Sequence, residues 1–349
     1  MSRAPWRSQP GDGPWRIERL AGWHLPLLSD PAFLPLHPVL QRALLLGLPE
    51  RILHTVARRP SLAPQVLVAF APRSQDAVGL IVSRRLNRSG SCWQLQHLRT
   101  TPNADRRRLG GELLRSAISA ASGARSWIAQ GSSLDSDRLA LLREQGFQPL
   151  RTDQLWCWQP PGDACQPDPA LPAELGLQPL NRRTASHFWH LEQGACSAQL
   201  RQLLDRRIED LLDQSQGQGW LLLDPSRNQA VAAARSTGEH AGGGHDVELT
   251  IQEGWEQLLG GGAELLLQKL AQQLGGKALW LRCDGRDRSR EAWLQRLGAC
   301  HRGERVLMAR SVWNRPAQPA QRSSRRLEAV LEQLQPRRRP LPTPVGPQV

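Results

Sequence analysis

The chain has 349 residues, 40% of them hydrophobic, and a formal net charge of +13. This length predicts about two domains, each with a sizeable core, and no apolar run is long enough to cross a membrane. Because the first residues lack an apolar signal core and the six cysteines form no CxxC pair, we expect a cytoplasmic protein with reduced thiols.

Arginine carries almost all of the positive charge, since Lys269 and Lys277 are the only lysines. Arginine contacts phosphates and carboxylates through two hydrogen bonds at once. The composition therefore permits a nucleic acid, a phosphorylated cofactor or an acidic partner. A general compositional bias also explains it, because tryptophan, proline and glycine are plentiful and tyrosine is absent.

The first part of the chain predicts an alternation of strands and helices that forms a domain at residues 15–158. Residues 1–14 predict a disordered lead, and a leucine-rich region between Leu25 and Arg59 predicts two helices. The predicted strands are 15–20, 66–70, 77–86, 92–100, 127–129 and 147–158, and two further predicted helices are 112–121 and 136–145.

Residues 159–174 are rich in proline and acidic residues and predict a linker, after which the pattern restarts. A second domain is predicted at residues 175–314. Its predicted strands are 177–180, 220–223, 230–235 and 246–252, with a helical region at 181–214. Residues 315–349 form a basic tail rich in proline and arginine, which is either solvated or in contact with a nucleic acid or an acidic surface.

The restart is an internal repeat with an offset of 152 residues. Gly146 and Gly298 differ by 298 − 146 = 152, and the segment ELL recurs at the same offset. The segments GARSW and GKALW, which end at Trp127 and Trp280, lie one residue away from that register. One offset that links a turn and a helix predicts two copies of one α/β unit.

The second copy contains a stretch that runs from a predicted strand through three glycines into a helix. Val247, Leu249 and Ile251 alternate with polar residues, and Gly260 to Gly262 precede leucines at helical spacing. A helix start offers free amides and the positive end of the helix dipole, and glycines let an anion approach the backbone. The stretch predicts an anion site. A helix start without a ligand is the alternative, because a glycine motif alone is weak.

The order of strands, glycine turn and helices resembles the GNAT superfamily of acyl-CoA-dependent N-acetyltransferases. The acetyl-CoA loop of that family reads Gln/Arg-x-x-Gly-x-Gly/Ala and is matched by Gln257, Leu258, Leu259, Gly260, Gly261 and Gly262. The resemblance covers nearly all of residues 15–158 and 175–313. As an arrangement of two such units in one chain, the protein is similar to tandem GNAT enzymes such as mycothiol synthase. It implies an α/β (α+β) fold of two tandem domains, each with a mixed, mostly antiparallel sheet flanked by helices.

The resemblance also implies a function, namely acetyl-CoA-dependent acetylation of an unknown amine with the acetyl-CoA in the second domain. The diphosphate would bind the amides of residues 258–262, and the pantetheine arm would pair with the strand at Leu249, Thr250 and Ile251. Glu248 is the candidate base, and a solvent-facing or salt-bridged glutamate is the alternative. We expect no metal, because His240 and His245 lie in a glycine-rich loop without further ligands.

The first copy differs from the second at the residues that matter. Subtracting 152 places Gln96 opposite Glu248, and it places Asp105, Arg108 and Gly110 opposite Gln257, Gly260 and Gly262. Arg108 would crowd the loop, although the arginines of DRRRLG could still attract phosphate. We therefore expect a degenerate or structural first domain.

The general acid is a second departure from the family. Many members protonate the leaving thiolate with a tyrosine, but Leu142 and Leu294 stand at the corresponding places. A thiolate can leave unassisted, because its ordinary pKa is about 8.5. The rival hypothesis is a non-catalytic GNAT-like module that binds RNA or a protein partner through its basic surface.

Overall fold

The computed structural model describes residues 15–45, 63–72, 74–161 and 174–311. We refer to the described residues up to 161 as the N-terminal half and to residues 174–311 as the C-terminal half. The predicted lead, the predicted tail and most of the predicted linker lie outside the described residues.

The described residues of the N-terminal half form six strands, and continuous apolar runs such as residues 66–70 fit a sheet that is covered on both faces. The strands are β1 (Arg16–Arg19), β2 (Gln65–Phe70), β3 (Ala77–Arg85), β4 (Cys92–Thr100), β5 (Ser126–Ser132) and β6 (Gln148–Trp158). Its helices are α1 (residues 37–45), α2 (Arg106–Ala120) and α3 (Ser136–Glu144). Two 3₁₀ turns precede α1, at Gly22–Leu28 and Leu34–Leu36. The predicted second helix before Arg59 lies outside the described residues.

The C-terminal half repeats this order. Its strands are β7 (Gly176–Pro179), β8 (Gly219–Asp224), β9 (Gln229–Glu239), β10 (His245–Ile251), β11 (Leu279–Asp284) and β12 (Cys300–Ser311). Its helices are α4 (Ala185–Ala195), α5 (Ala198–Leu204), α6 (Ile208–Ser215), α7 (Gly261–Gln273) and α8 (Arg288–Arg296). The helical region predicted at 181–214 is thus broken into three helices, and α5 ends where Asp205 adopts a left-handed φ of 43°.

The repeat offset of 152 residues holds in the structure, because α3 and α8 begin and end at positions 152 apart. The parallel strand pairs fix the register more finely. Trp93 pairs with Trp127, and His245 pairs with Leu279, so Leu279 is the structural equivalent of Trp127. The tryptophans of GARSW and GKALW are therefore not equivalent, and their similarity came from a segment shifted by one residue.

The twelve strands of the described residues form one mixed sheet in the order β1-β2-β3-β4-β5-β12-β6-β11-β10-β9-β8-β7. The pairs β4–β5 and β10–β11 are parallel, and the other pairs are antiparallel. The predicted fold class is confirmed, with the difference that the two predicted sheets are joined edge to edge.

The joint consists of exchanged strands. Strand β12 of the C-terminal half pairs with β5 of the N-terminal half, and β6 of the N-terminal half pairs with β11 of the C-terminal half. β6 and β12 also pair with each other. Each half therefore lends its last strand to the other half, and neither sheet is complete within its own half. The domain boundaries predicted from the linker stay a prediction.

Helix α5 of the C-terminal half packs against the N-terminal half on one face of this sheet. Leu204 of α5 packs against Cys92 and Ile128 of the N-terminal half, and burial of such a side chain contributes about 1.5–3 kcal/mol. The Asn87 Nδ2 atom donates to the Leu204 carbonyl at 3.0 Å, and the Ser91 hydroxyl donates to Asp205 at 2.7 Å. These contacts hold the segment after α5 against the middle of the sheet.

Candidate functional site

The two parallel strands of the C-terminal half separate partway along their length. β10 and β11 pair at His245–Leu279, Asp246–Trp280 and Val247–Leu281, and in the described residues the ladder ends there. From Glu248 to Ile251, β10 pairs only with β9 on its other side. The backbone edge of this segment thus faces a cleft between the strands, where an extended ligand could pair with it.

The loop that follows β10 leaves helix amides free. The Leu258 and Leu259 amides donate to the carbonyls of Trp255 and Glu256 within a 3₁₀ turn, and the first amide of α7 that bonds within the helix is that of Glu264. Among the described residues, the amides of 260–263 have no hydrogen-bond acceptor. Of the amides predicted to bind a diphosphate, those of Leu258 and Leu259 are therefore occupied, and the free set is shifted toward the helix.

Two of the loop glycines are required for different reasons. Gly260 has a φ of 146° and a ψ of −132°, a conformation that only glycine adopts readily, and no atom lies within 4 Å of the position of a Cβ there. At Gly262 a Cβ would lie 3.0 Å from Leu258 Cδ2 and 3.2 Å from Leu222 Cδ1. Gly262 thus allows close packing in the core, whereas Gly260 shapes an open surface.

The cleft between β10 and β11 contains an arginine from α8. The Arg290 Nη1 atom donates to the Leu249 carbonyl at 3.1 Å, so this part of the free strand edge already has a partner. The Leu249 side chain is buried in the core, and Thr250 and Ile251 continue the strand beside it. Gln257 is exposed in the 3₁₀ turn. The structure thus brings the predicted cofactor residues together along one edge and one helix start.

Glu248 lies on the opposite face of β10 from this core and takes part in an ion-pair cluster. Its carboxylate is 2.6 Å from the fully buried Arg235 and 3.9 Å from Arg206, which also pairs with Glu192. Burial acts to raise the pKa of Glu248, but the charges of Arg235 and Arg206 outweigh it and hold the pKa at about 2. About 39% of the side chain remains accessible.

Sequence reasoning missed the partners of Glu248. Arg235 comes from β9, Arg206 from the turn after α5, and Glu192 from α4. None stands in a motif, and only Arg235 gives a signal, as the charge that ends the apolar segment AVAAAR before Ser236. A buried charge of this kind needs a partner of opposite charge, so a charged residue in an apolar strand indicates a buried ion pair.

The helix-start amides in the equivalent loop of the N-terminal half are capped by a side chain of the loop itself. The Asp105 carboxylate accepts from the amides of Arg107 and Arg108 at 3.1 and 3.0 Å, which places a protein anion at the start of α2. Arg106 pairs with Asp135, Arg107 pairs with Glu144, and Arg108 lies over the ring of Trp15.

The cleft of the N-terminal half is also filled. β4 and β5 pair only as far as Leu95 and Ala129 in the described residues, which is the same point as in the other half. Beyond it, Arg138 lies beside Leu98 and Leu141, and the cavity among them is about 10 Å³. Arg138 and Arg290 are 152 residues apart, so both copies place an arginine in this cleft.

The structure places no proton donor at the positions of the family's tyrosine, and a cysteine nearby in sequence is buried. Leu142 and Leu294, at the places of the family's tyrosine, are almost completely buried. Burial raises the pKa of the Cys283 thiol to about 12, which makes it a poor nucleophile and a poor acid. His240 stacks on Trp280 and bonds to Asp246 at 3.0 Å, and no group of ligands suited to a metal occurs among the described residues.

Comparisons with known proteins concern the fold. No family model and no curated protein matches the sequence. A GCN5-related N-acetyltransferase from Sphaerobacter thermophilus matches with a TM-score of 0.52 and 14% identity, over 85% of this chain and 95% of that one. A tandem GNAT protein from the clavulanic acid biosynthesis pathway matches with a TM-score of 0.52 and 13% identity, over 85% and 98%. This chain has a tandem GNAT fold.

The tandem GNAT fold agrees with the resemblance seen in the sequence. In both halves the separated strands are followed by a turn and a helix, and among the described residues the helix-start amides are capped by an aspartate only in the N-terminal half. No helix of the described residues has the length and apolar character needed to span a bilayer.

Proposed function

We propose that the chain is an acyl-CoA-dependent N-acyltransferase that binds acetyl-CoA in its C-terminal half. The observation that carries the proposal is the contrast between two equivalent loops. The amides of 260–263 are free beside a cleft with an open strand edge, whereas Asp105 caps the amides of the N-terminal loop. A cytoplasmic location, as expected from the sequence, belongs to the same proposal.

The acyl-CoA would bind through main-chain groups. Its diphosphate accepts hydrogen bonds from the amides of 260–263, with the positive end of α7 behind them. Its pantetheine amides pair with the edge of β10 at Leu249 to Ile251. Because Arg290 donates to the Leu249 carbonyl in the free protein, the arginine has to move when the ligand pairs there. Its guanidinium is then free to approach a phosphate.

Glu248 would act on the acceptor amine. Its pKa of about 2 is far below that of an amine, so direct proton abstraction by the carboxylate is unfavourable. We assign to it the binding of the acceptor's ammonium group, which loses one proton to the bulk solvent before it reacts. The nitrogen of the neutral amine then attacks the thioester carbonyl, so that the C–N bond forms and the C–S bond breaks; the nitrogen releases its second proton to solvent, and the thiolate takes a proton from solvent. Lack of a tyrosine is tolerable because a thiolate is a stable leaving group.

Gly261 offers the sharpest test, because it is the first residue of α7 and has no left-handed φ. Gly261→Asp places a negative charge at the free amides. Such a charge stabilises a helix start by about 0.3–1 kcal/mol but repels a diphosphate. Gly261→Ala is the matched control, because it adds a side chain without a charge.

Calorimetry with acetyl-CoA and release of free thiol in the presence of amines are the measurements. We expect binding by the wild type and by Gly261→Ala and a loss of at least tenfold in affinity for Gly261→Asp. Absence of binding by all three proteins would reject the enzyme and leave the non-catalytic module. Equal binding by all three would place the cofactor elsewhere.

A further inference from the structure

The turn between β3 and β4 in the N-terminal half (residues 86–91, the β3–β4 turn) is bonded to the end of α5 in the C-terminal half. The Asn87 side chain is almost completely buried, and its Nδ2 atom donates to the carbonyls of Leu204 and Asp205 at 3.0 and 3.1 Å. The Ser91 hydroxyl donates to the Asp205 carboxylate at 2.7 Å. Because Asp205 has a left-handed φ of 43° at the end of the helix, these bonds fix the chain where it leaves α5.

The chain on the other side of Arg206 is held by the same turn. The Arg207 amide donates to Asp210 Oδ2 at 2.8 Å, and the Arg88 amide donates to Asp210 Oδ1 at 2.7 Å. Asp210 is almost completely buried, so its carboxylate forms a bridge between the turn and the start of α6. The residues on both sides of Arg206 are therefore bonded to the β3–β4 turn, which limits where its guanidinium can lie.

Arg235, the second arginine beside Glu248, is connected to the β3–β4 turn through Gln214 of α6. The Arg235 Nη1 atom donates to Gln214 Oε1 at 3.3 Å, and Gln214 Nε2 donates to the Leu86 carbonyl at 2.6 Å. Arg235 is fully buried. A side chain that is enclosed and hydrogen-bonded in this way keeps one orientation, so the turn also helps to fix the Arg235 guanidinium.

The two arginines approach the same oxygen of Glu248. Arg235 Nη2 lies 2.6 Å and Arg206 Nη1 lies 3.9 Å from Glu248 Oε2, and among the described residues no hydrogen bond reaches Glu248 Oε1. Both arginine side chains are buried or nearly so, whereas 39% of the Glu248 side chain is accessible. Oε1 is therefore the atom that can accept a hydrogen bond from an ammonium group, and its position depends on the arginines that hold Oε2.

The ion-pair cluster around Glu248 is neutral. Glu192 of α4 pairs with Arg206, so two carboxylates and two guanidinium groups are present. The other ionisable groups that interact with the cluster are Cys196 at the end of α4 and Arg282 of β11, which pairs with Asp246. Arginines that are neutralised in this way can orient a carboxylate without binding an anion of their own.

We propose that the β3–β4 turn of the N-terminal half positions Glu248 for acceptor binding, with Asn87 as the main positioning residue. The turn fixes the segment that carries Arg206, and it holds Gln214, which bonds to Arg235. The two arginines then fix Oε2 of Glu248 and leave Oε1 for the ammonium group. The inference rests on the proposed function, because it concerns the carboxylate to which that function assigns the acceptor.

The first experiment measures the pKa of Glu248 by carbon-13 NMR in Asn87→Ala, with Arg88→Ala as the matched control. Asn87→Ala removes the hydrogen bonds to the segment before Arg206, whereas Arg88→Ala removes an exposed ion pair with Asp213 that also joins the halves but does not touch the cluster. In Asn87→Ala the pKa of Glu248 should rise from about 2 toward its ordinary value of 4.5, because Arg206 is no longer held close to it. In Arg88→Ala it should stay at about 2.

Ser91→Ala is the second variant, in case Asn87→Ala does not fold. It removes the hydroxyl that bonds to Asp205, and we expect a smaller rise in the pKa of Glu248. The Glu248 signal is identified by its absence from Glu248→Gln, and circular dichroism verifies that each protein is folded over the titrated range. An unchanged pKa in both variants would overturn the inference. An equal rise in Arg88→Ala would also overturn it, because loosening of the whole interface would then be the cause.

The second experiment separates acceptor binding from cofactor binding. A panel of amino acids, polyamines and amino sugars is tested with acetyl-CoA, and the best acceptor of the wild type is used for every variant. Asn87→Ala should raise the acceptor KM about tenfold or more, because a small displacement of the binding group is costly, and should leave the Kd of acetyl-CoA unchanged. Arg88→Ala should change neither quantity. An acceptor KM unchanged in both Asn87→Ala and Ser91→Ala would refute the positioning role.

The NMR titration needs no cofactor, so the two failures can be told apart. If acetyl-CoA binds to none of the proteins, the proposed function is wrong, and the pKa of Glu248 in Asn87→Ala still shows whether the turn holds the carboxylate. If acetyl-CoA binds normally and neither the pKa nor the acceptor KM changes, this inference is wrong and the proposed function stands.

Discussion

Replacing Gly260 with alanine tests whether the loop before α7 binds the diphosphate. The residue has a φ of 146° and a ψ of −132°, where an alanine costs about 1–3 kcal/mol. No atom lies within 4 Å of the position of the new Cβ, so backbone strain is the main cost in the free protein. The free loop of the variant can relieve this strain by rotating its backbone. When a ligand binds to the loop amides, the backbone has to return to the strained conformation.

The strain therefore divides between two measurable quantities. The loss in the free energy of unfolding and the loss in the free energy of acetyl-CoA binding should together amount to about 1–3 kcal/mol, and a loss confined to binding would be roughly 5- to 150-fold in Kd. The methyl group also projects from the open side of the loop, which adds to the loss if the ligand lies there.

Gly238→Ala is the matched control. Gly238 lies on β9 with a φ of 136° and, like Gly260, has no atom within 4 Å of the position of a Cβ. Urea unfolding and calorimetry with acetyl-CoA are measured for both variants. We expect Gly238→Ala to lose stability only and Gly260→Ala to lose affinity. If both bind acetyl-CoA as the wild type does, the loop is not the binding site.

Three other predictions follow from single contacts. Because the folded pKa of Glu248 is about 2 and its ordinary value is 4.5, its ion pairs stabilise the fold above that ordinary value, and the stabilisation is lost as the pH falls through about 2. Between about pH 4 and 9, titration of Glu248 should therefore not appear as an acidic limb in the pH profile of kcat/KM. A limb that is present in the wild type and absent from Glu248→Gln would contradict the ion-pair geometry. Asp105→Ala should lower the free energy of unfolding by about 0.5–2 kcal/mol in urea without changing acetyl-CoA affinity, and tighter or weaker binding would show that the N-terminal loop is also a ligand site. Separately expressed fragments 15–161 and 174–311 should fail to form stable monomers by circular dichroism and size exclusion, whereas co-expressed fragments should assemble, because β6 and β12 pair across the halves; a folded monomeric 174–311 would show that the exchange is dispensable.

The sequence predicts most of the elements because it shows both the alternation of strands and an internal repeat. Alternation identifies the strands, and the 152-residue offset relates several elements of the two halves, such as α3 and α8. The glycine loop is predictable for the same reason, since it interrupts a strand-to-helix transition. The one-residue shift between Trp127 and Trp280, visible in the sequence, is also found in the strand register, where Leu279 is the equivalent of Trp127.

The strand exchange is not predictable in this way. β6 and β12 have the same alternation whether each closes its own half or the other half, because both situations offer the same kind of neighbouring strand. The partners of Glu248 are equally hidden. Arg235 and Arg206 are brought to it by the packing of α4–α6 over β9 and β10, and no local pattern records that packing.

The exchange explains why the N-terminal half, whose helix-start amides are capped by Asp105, is structurally necessary. Removing the N-terminal half would leave β12 without either of its neighbours, β5 and β6, and would expose the edge of β11 that β6 covers. An uncovered central edge of this length is a site of aggregation. Asp105 and Arg138 can therefore close the first loop and cleft without penalty to the fold, because the scaffold depends on strand pairing and not on a ligand.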